Sequence, residues 1–398
     1  MRLLFISLDV PLPANNGLRI RAWAILRALA AEGHETTLLM FADADENLEI
    51  PELRQVCARV VSVPLRLSSL TSGNDYVGRL RNLFSTQAYA VGRFRSSMMR
   101  SAIADALRSR THDAVLCETV YGMINVPEIG VPLILDNQNV EHLILERYRQ
   151  FETNPLKRLY AQREAVRLRA EERAACARAT LALCCSEADR KYFAQLCPEA
   201  RLHVVPNVVE IDAIAPSHDE PPPTLLYQGG MDWFPNRDAV KFFIESIMPR
   251  LRRAVPGIRF VVAGRGASSQ FERQFADQPD VCFTGTVPDM KPWVAGATVC
   301  VVPLRIGSGT RLKILEAAAM GKAVVSTRVG AEGLDFADGK EIMIAGDADE
   351  FVGHTVQLLK NPCLRARIGA AARARVELCY SFGVLREALA AVLAECPA

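Results

Sequence analysis

The segment Gly307-Ser308-Gly309-Thr310-Arg311 stands between an apolar run at 298–304 and a stretch from Leu312 whose apolar residues recur at helical spacing; a second apolar run at 323–327 follows Gly321. This reads as strand, glycine turn, helix, strand. No other feature constrains the chain as much, because two strands joined through a helix lie parallel in one sheet. The turn falls at the helix N-terminus, where unpaired N–H groups and the positive end of the helix dipole point outward. A phosphate fits such a place, lined by Ser308, Gly309 and Thr310. Arg311 and Lys313 add positive charge beside it. Glu316, about a turn and a half further on, can accept hydrogen bonds from vicinal hydroxyls such as those of a ribose. The plainer alternative is an ordinary helix cap carrying solvated charges.

The same order opens the chain. Residues 2–8 read as a strand, 9–17 as a loop rich in Pro and Asn, 18–32 as a helix and 34–41 as the next strand, with Gly33 ending the helix. Further strands are expected at 59–65, 113–118, 133–137 and 181–186, alternating with helices. A proline- and acid-rich stretch at 216–223 then marks a linker. Beyond it, strands at 224–230, 258–263 and 281–285 alternate with helices at 237–255 and 290–297, and helices at 349–361, 362–379 and 381–395 follow. Such alternation gives open parallel sheets, and 398 residues are more than one core holds, so two doubly wound α/β domains are expected.

Composition removes several classes. Lys and Arg number 47 against 45 Asp and Glu, which leaves no electrostatic footprint for nucleic acid. The 11 cysteines are scattered and odd in number, which favours a reducing cytoplasm over a disulfide scaffold or metal cluster. No apolar run approaches the ~20 residues that cross a bilayer. Neither half carries the G-x-G-x-x-G turn with a later acidic residue that a NAD(P) dehydrogenase needs.

With Leu315-Glu316-Ala317 and Gly321-Lys322-Ala323-Val324-Val325 after it, the glycine turn resembles the donor site of GT-B glycosyltransferases, specifically the retaining family 4. His203-Val204-Val205-Pro206-Asn207-Val208-Val209-Glu210 resembles that family's Val-Ile-Pro-Asn-Gly-Val-Asp, and Gly33-His34-Glu35 its Gly-His-Glu. The resemblance implies a GT-B fold of two Rossmann-like domains facing a central cleft: 1–205 for the acceptor, 206–380 for the donor, and a C-terminal helix, 381–398, packed back on the first. It implies a nucleotide-diphosphate sugar as co-substrate, no cofactor and no metal. There are departures. Ser308 stands where the family has the first of two glutamates, and Asn16-Gly17 replaces its paired glycines. Gly230 and Asn236 occupy the positions of an Arg and a Lys that hold the diphosphate, so Arg265, Arg311 and Lys313 are the expected sources of charge. Trp233-Phe234-Pro235-Asn236 resembles a subgroup that also carries Gly-Ser-Gly-Thr-Arg-Leu-Lys.

On the acceptor side, Glu118 ends a strand where relatives often place a histidine; it reads either as a carboxylate facing acceptor or donor sugar, or as a capping or solvated glutamate. The polar run from Asp136 to His142 reads as cleft-facing, or as a helix start capped by Asn139. Arg79, Arg81, Arg93, Arg95 and Arg100 surround an aromatic segment and suggest an anionic membrane surface or lipid pyrophosphate. Lys157, Arg158, Arg163, Arg167, Arg169 and Arg173 stud a long helix with Glu164, Glu171 and Glu172, which reads as a solvated, self-paired face. The expected function is retaining transfer of a hexose-type sugar to a glycan or lipid-linked saccharide in bacterial surface or exopolysaccharide assembly. Arg311 and Lys313 are the expected catalytic charges, with Glu118 opposite. The protein is expected in the cytoplasm, peripheral on the inner face of the membrane. The rivals are a nucleotide-sugar epimerase of the same fold and a sugar-nucleotide-binding scaffold without turnover.

Overall fold

Runs of Val, Leu and Ile closed by glycine or polar residues form thirteen strands in the computed structural model, which describes residues 1–43, 50–65, 75–211, 223–266 and 269–397. The chain divides into two units, Met1–Asn207 with Phe382–Ala398, and Val208–Ser381. The first holds β1 (Arg2–Ser7), β2 (Glu35–Ala42), β3 (Arg59–Pro64), β4 (Ala114–Glu118), β5 (Leu133–Asn137), β6 (Leu181–Cys184) and β7 (Leu202–Val204) in the order β3-β2-β1-β4-β5-β6-β7. All neighbours are parallel, with Ile6 beside Cys117 and Glu118 beside Asp136. Leu3 to Ile6 have no exposure at all, as a strand covered on both faces requires.

The second unit holds β8 (Thr224–Gln228), β9 (Arg259–Ala263), β10 (Val281–Gly285), β11 (Val299–Val302), β12 (Val324–Thr327) and β13 (Met343–Ala345) in the order β10-β9-β8-β11-β12-β13, again all parallel. In each sheet the order reverses once, between β1 and β4 and between β8 and β11. Doubly wound sheets open a ligand crevice at the carboxyl ends of such strand pairs.

The helix expected at 237–255 is interrupted. It runs as Phe234–Phe242, a π-turn at Phe243–Ile247 and Met248–Ala254. Pro249 explains the break: it lacks an N–H, and its ring excludes the carbonyl a turn earlier, so a wider turn takes up the misfit. The turn still buries Phe243, Ile244 and Ile247. The linker at 216–223 lies, up to residue 222, outside the described residues.

The last helix, Phe382–Ala394, belongs to the first unit and packs on the first helix, Gly17–Ala31. The Arg27 guanidinium lies 4.8 Å from the Phe382 ring centroid, and Arg386 Nε lies 3.0 Å from Glu32 Oε1. Leu385, Leu389, Val392 and Leu393 are buried beneath it. A second tie within this unit is Arg21, a fully buried side chain of the first helix. It meets Asp136 of β5 at 2.6 Å and donates at 3.0 Å to the Val205 carbonyl and to Asn207 Oδ1.

Candidate functional site

Glycine turns leave the carboxyl ends of β8, β9 and β11: Gly229-Gly230, Gly264-Arg265-Gly266 and Gly307-Ser308-Gly309. A Cβ on Gly264 would lie 2.2 Å from the Gly229 carbonyl oxygen, so the first two turns touch backbone to backbone and tolerate no side chain there. After the third turn the Leu312–Ala319 helix begins at Arg311 with no side-chain hydrogen bond capping it. The anion-attracting end of the helix therefore follows directly on the third glycine turn, uncapped by the Arg311 side chain.

A polar cluster lies between these turns. The Tyr227 hydroxyl donates to Asn236 Oδ1 at 2.6 Å, and Asn236 Nδ2 donates to the Gly230 carbonyl at 2.7 Å. Lys313 Nζ donates to the Tyr227 hydroxyl oxygen at 2.9 Å and to Asn236 Oδ1 at 3.2 Å, and lies 4.1 Å from the Tyr227 ring centroid. Its hydrogen-bond partners are thus neutral. Burial, helped by the charge of Arg311 and opposed by Glu316, lowers the Lys313 ammonium to about 7. Glu316, raised to about 7 by burial against the pull of Lys313 and Gln228, accepts from Gln228 Nε2. Gln228 Oε1 is buried with no hydrogen-bond partner.

Arg311 turns back on its own loop, donating to the carbonyls of Ser308 and Gly309. It braces the turn, and a Cβ on Gly307 would fall 2.4 Å from its Nη2. Ser308 is buried and Thr310 half-buried. Arg265 is exposed on the outer lip, its Nε 3.2 Å from Asp232 Oδ2. The Asp-x-Asp run of this half, Asp347-Ala348-Asp349, is engaged within the fold: Asp347 caps the Ala348–Lys360 helix through the N–H groups of Asp349 and Glu350, and Asp349 pairs with Arg250.

At the switch point of the first sheet, Glu118 reaches from β4 across to β1. Its Oε2 accepts from the Ser7 hydroxyl and the Leu8 N–H, both at 2.9 Å, while Oε1 is buried without a partner. Burial raises the carboxyl to about 8; Leu8 and Ser7 oppose the shift and Asp136 adds to it. The side chain is neither solvated nor a helix cap, although Thr119 turns sharply into the Thr119–Met123 helix with φ +52°, a strained value for a β-branched residue.

Asp136 is the partner of Arg21 rather than a free group. The Asn139 cap is also replaced: Val140 holds the N-cap position of the Glu141–Phe151 helix, and Glu172 accepts from the N–H groups of Glu141 and His142 and from His142 Nδ1. Glu172 reaches them from a neighbouring helix, which spacing along the chain does not reveal. Asn16 Oδ1 accepts from the Arg19 N–H as the cap of the first helix, which starts at Gly17. Reading the sequence missed Tyr227 and Gln228. A polar side chain ending an apolar strand before a double glycine is the signal that would have found Gln228.

The expected self-pairing of the basic helix holds for Glu164 and Arg167, three residues apart, while the other acids turn inward. In Pro155–Arg178, Glu164 accepts from the Tyr89 N–H and pairs with Arg167, Glu171 accepts from the Ala88 N–H, and Arg173 pairs with Glu199 instead. Arg79 and Arg93 both lie over the Tyr89 ring, and Arg95 donates to Gln87 Oε1.

Residues 15–213 match the family described as Glycosyltransferase Family 4, and residues 222–361 the family described as Glycosyl transferases group 1. The chain is 21% identical over 374 residues to an uncharacterized 44.6 kDa protein in the cps region of Klebsiella pneumoniae, covering 90% of this chain and 91% of that protein. It is 28% identical over 157 residues to a GDP-mannose-dependent monoacylated alpha-(1-6)-phosphatidylinositol monomannoside mannosyltransferase of Corynebacterium glutamicum, covering 37% of this chain and 41% of that one. The fold is similar to sucrose-phosphate synthase of Thermosynechococcus elongatus, with TM-score 0.75, 15% identity and coverage of 99% and 98% of the two chains.

Proposed function

The chain belongs to glycosyltransferase family 4, with the GT-B fold, and from that premise we propose that it moves a hexose-type sugar, with retention, from a nucleotide-diphosphate sugar to a glycan or lipid-linked saccharide in surface polysaccharide assembly. One observation carries the reading: Lys313 is a desolvated cation whose hydrogen-bond partners are all neutral, in the first turn of a helix whose N-cap residue, Arg311, makes no side-chain cap. A diphosphate supplies the missing negative charge, and the dry setting strengthens the attraction.

In this reading the bond from the anomeric carbon to the diphosphate oxygen breaks as the acceptor hydroxyl attacks from the same face. The departing phosphate oxygen takes the hydroxyl proton. The growing charge on the leaving group is met by the helix N–H groups, Lys313 and Arg311 rather than by a metal. Glu316, held by Gln228, receives the ribose hydroxyls. Gly230, Asn236, Arg265, Ser308, Gly309 and Thr310 complete the donor side. Glu118 serves the acceptor hydroxyl or donor sugar. The protein works at the inner face of the membrane, where a lipid-linked acceptor is presented. The cps-region relative and the mannosyltransferase acting on a phosphatidylinositol mannoside support this setting.

The test is thermal unfolding with UDP, GDP, ADP, dTDP and CMP and their sugar conjugates. One diphosphate at a hundredfold excess over its dissociation constant raises stability by about 2.7 kcal/mol, and Lys313→Ala abolishes the rise. A rise with no turnover of any lipid-linked or glycan acceptor would favour the scaffold, and sugar interconversion without acceptor the epimerase. No rise with any of them would sink the donor site.

A further inference from the structure

The first unit exposes large apolar side chains at two places that the structure ties together. In the Pro155–Arg178 helix, Leu156, Leu159, Arg163 and Val166 follow at i, i+3, i+7 and i+10, which puts them on one face. Leu156, Leu159 and Val166 are 77%, 65% and 66% exposed. Arg163 donates to the Leu83 carbonyl, and Arg167 donates to the carbonyls of Asn82 and Ser85, so residues 82–85 are carried on this side of the helix. There Phe84 is 92% exposed, and Leu80, a turn earlier in the Tyr76–Asn82 helix, is 63% exposed. A contiguous exposed apolar surface on a soluble chain marks a contact.

The charge around it selects the partner. Residues 75–100 carry five arginines and one acid, Asp75; residues 155–169 carry five basic side chains and one acid, Glu164. Both acids are turned inward: Asp75 accepts from the Tyr89 hydroxyl at 2.5 Å and the Gly78 N–H at 2.7 Å, and Glu164 from the Tyr89 N–H at 2.6 Å. Arg81, Lys157 and Arg163 are exposed. Glu152, just before the helix, feels the charge of Lys157 and is itself held by the Tyr148 hydroxyl. Cations still outnumber acids around the apolar tips, the pattern that suits a headgroup layer of anionic lipid with hydrocarbon below it.

We propose that this face docks on an anionic bilayer, with Phe84, Leu80, Leu156 and Leu159 entering the boundary between headgroups and acyl chains and Arg81, Lys157 and Arg163 meeting lipid phosphates. Arg93 and Arg95 are engaged with Tyr89 and Gln87. The inference rests on the lipid-linked acceptor for its biological role, but its observations are separate from the donor site.

The full-length protein is co-sedimented with phosphatidylcholine vesicles with and without phosphatidylglycerol, at low and high salt. Binding that needs phosphatidylglycerol is expected. The double variant Arg81→Gln with Lys157→Gln weakens it about thirtyfold, from about 1 kcal/mol per lost cation. Phe84→Ser with Leu159→Ser weakens it at least tenfold and removes the part that survives salt. Both variants keep the wild-type nucleotide-induced thermal shift, which separates a failed docking face from a failed donor site. Unchanged sedimentation in both variants overturns the proposal. So does concentration-dependent self-association lost in the Phe84→Ser variant, which would make the patch an interface between copies.

Discussion

Two buried carboxyls and one buried ammonium carry most of what individual residues say about chemistry here. Glu118 holds its proton to about pH 8 in the folded state, against an ordinary value near 4.5. Between those two values the folded chain binds more protons at this group than the unfolded chain does, so its contribution to stability falls as pH rises. Glu118→Gln keeps an oxygen for the Leu8 N–H and the Ser7 hydroxyl and titrates nothing. The variant is thus expected to gain on the wild type by about 2–3 kcal/mol between pH 5.5 and pH 8, read as melting temperature at each pH. A constant difference would mean that Glu118 titrates normally. Glu118, Lys313 and Glu316 were legible because a charged residue ending an apolar strand, or starting a helix after glycines, is conspicuous in any sequence. Arg311 was legible as a cation but not as the brace of its own turn, since nothing in its neighbours tells which way a long side chain folds. Tyr227 becomes meaningful only once Asn236 and Lys313 lie beside it.

At the scale of elements, the strands were legible wherever an apolar run met a glycine, as at Gly229, Gly264 and Gly307, and were missed where three residues suffice, as in β7 and β13. The π-turn at Phe243–Ile247 was hidden because Pro249 looks the same whether a helix ends, kinks or widens around it. Arg21 was invisible as a structural residue: in sequence it is one of three arginines on the first helix, and its partners are 115 to 186 residues away. It joins the first helix, β5 and the Val205–Asn207 turn through one buried ion pair, and removing one member leaves the other charged and dry. Arg21→Met is expected to cost about 3–5 kcal/mol in the unfolding of the first unit, measured in urea. Adding Asp136→Leu should restore most of it, because an apolar pair of similar volume needs no counter-charge. If the double variant is as unstable as the single one, the tie works through the Val205 and Asn207 bonds instead.

For the molecule as a whole, alternation of strand and helix made two parallel sheets readable, and the strand orders show a single reversal in each. Membership of the last helix was an expectation drawn from resemblance, since its apolar stripe alone does not say which surface it covers. Truncation after Ser381 uncovers the seat of Leu385, Leu389, Val392 and Leu393, each worth about 1.5–3 kcal/mol. The melting transition of the first unit is expected to fall steeply or vanish, while stabilisation by a nucleoside diphosphate persists in the second; equal loss in both would refute the assignment. The same helix sets a schedule for synthesis. A ribosome releases Asn207 long before it reaches Phe382, and at 5–20 residues per second the second unit occupies it for roughly ten to thirty seconds. Throughout that interval the seat on the first helix stands open, so the domain made first is finished last, and a nascent-chain chaperone would find its client there.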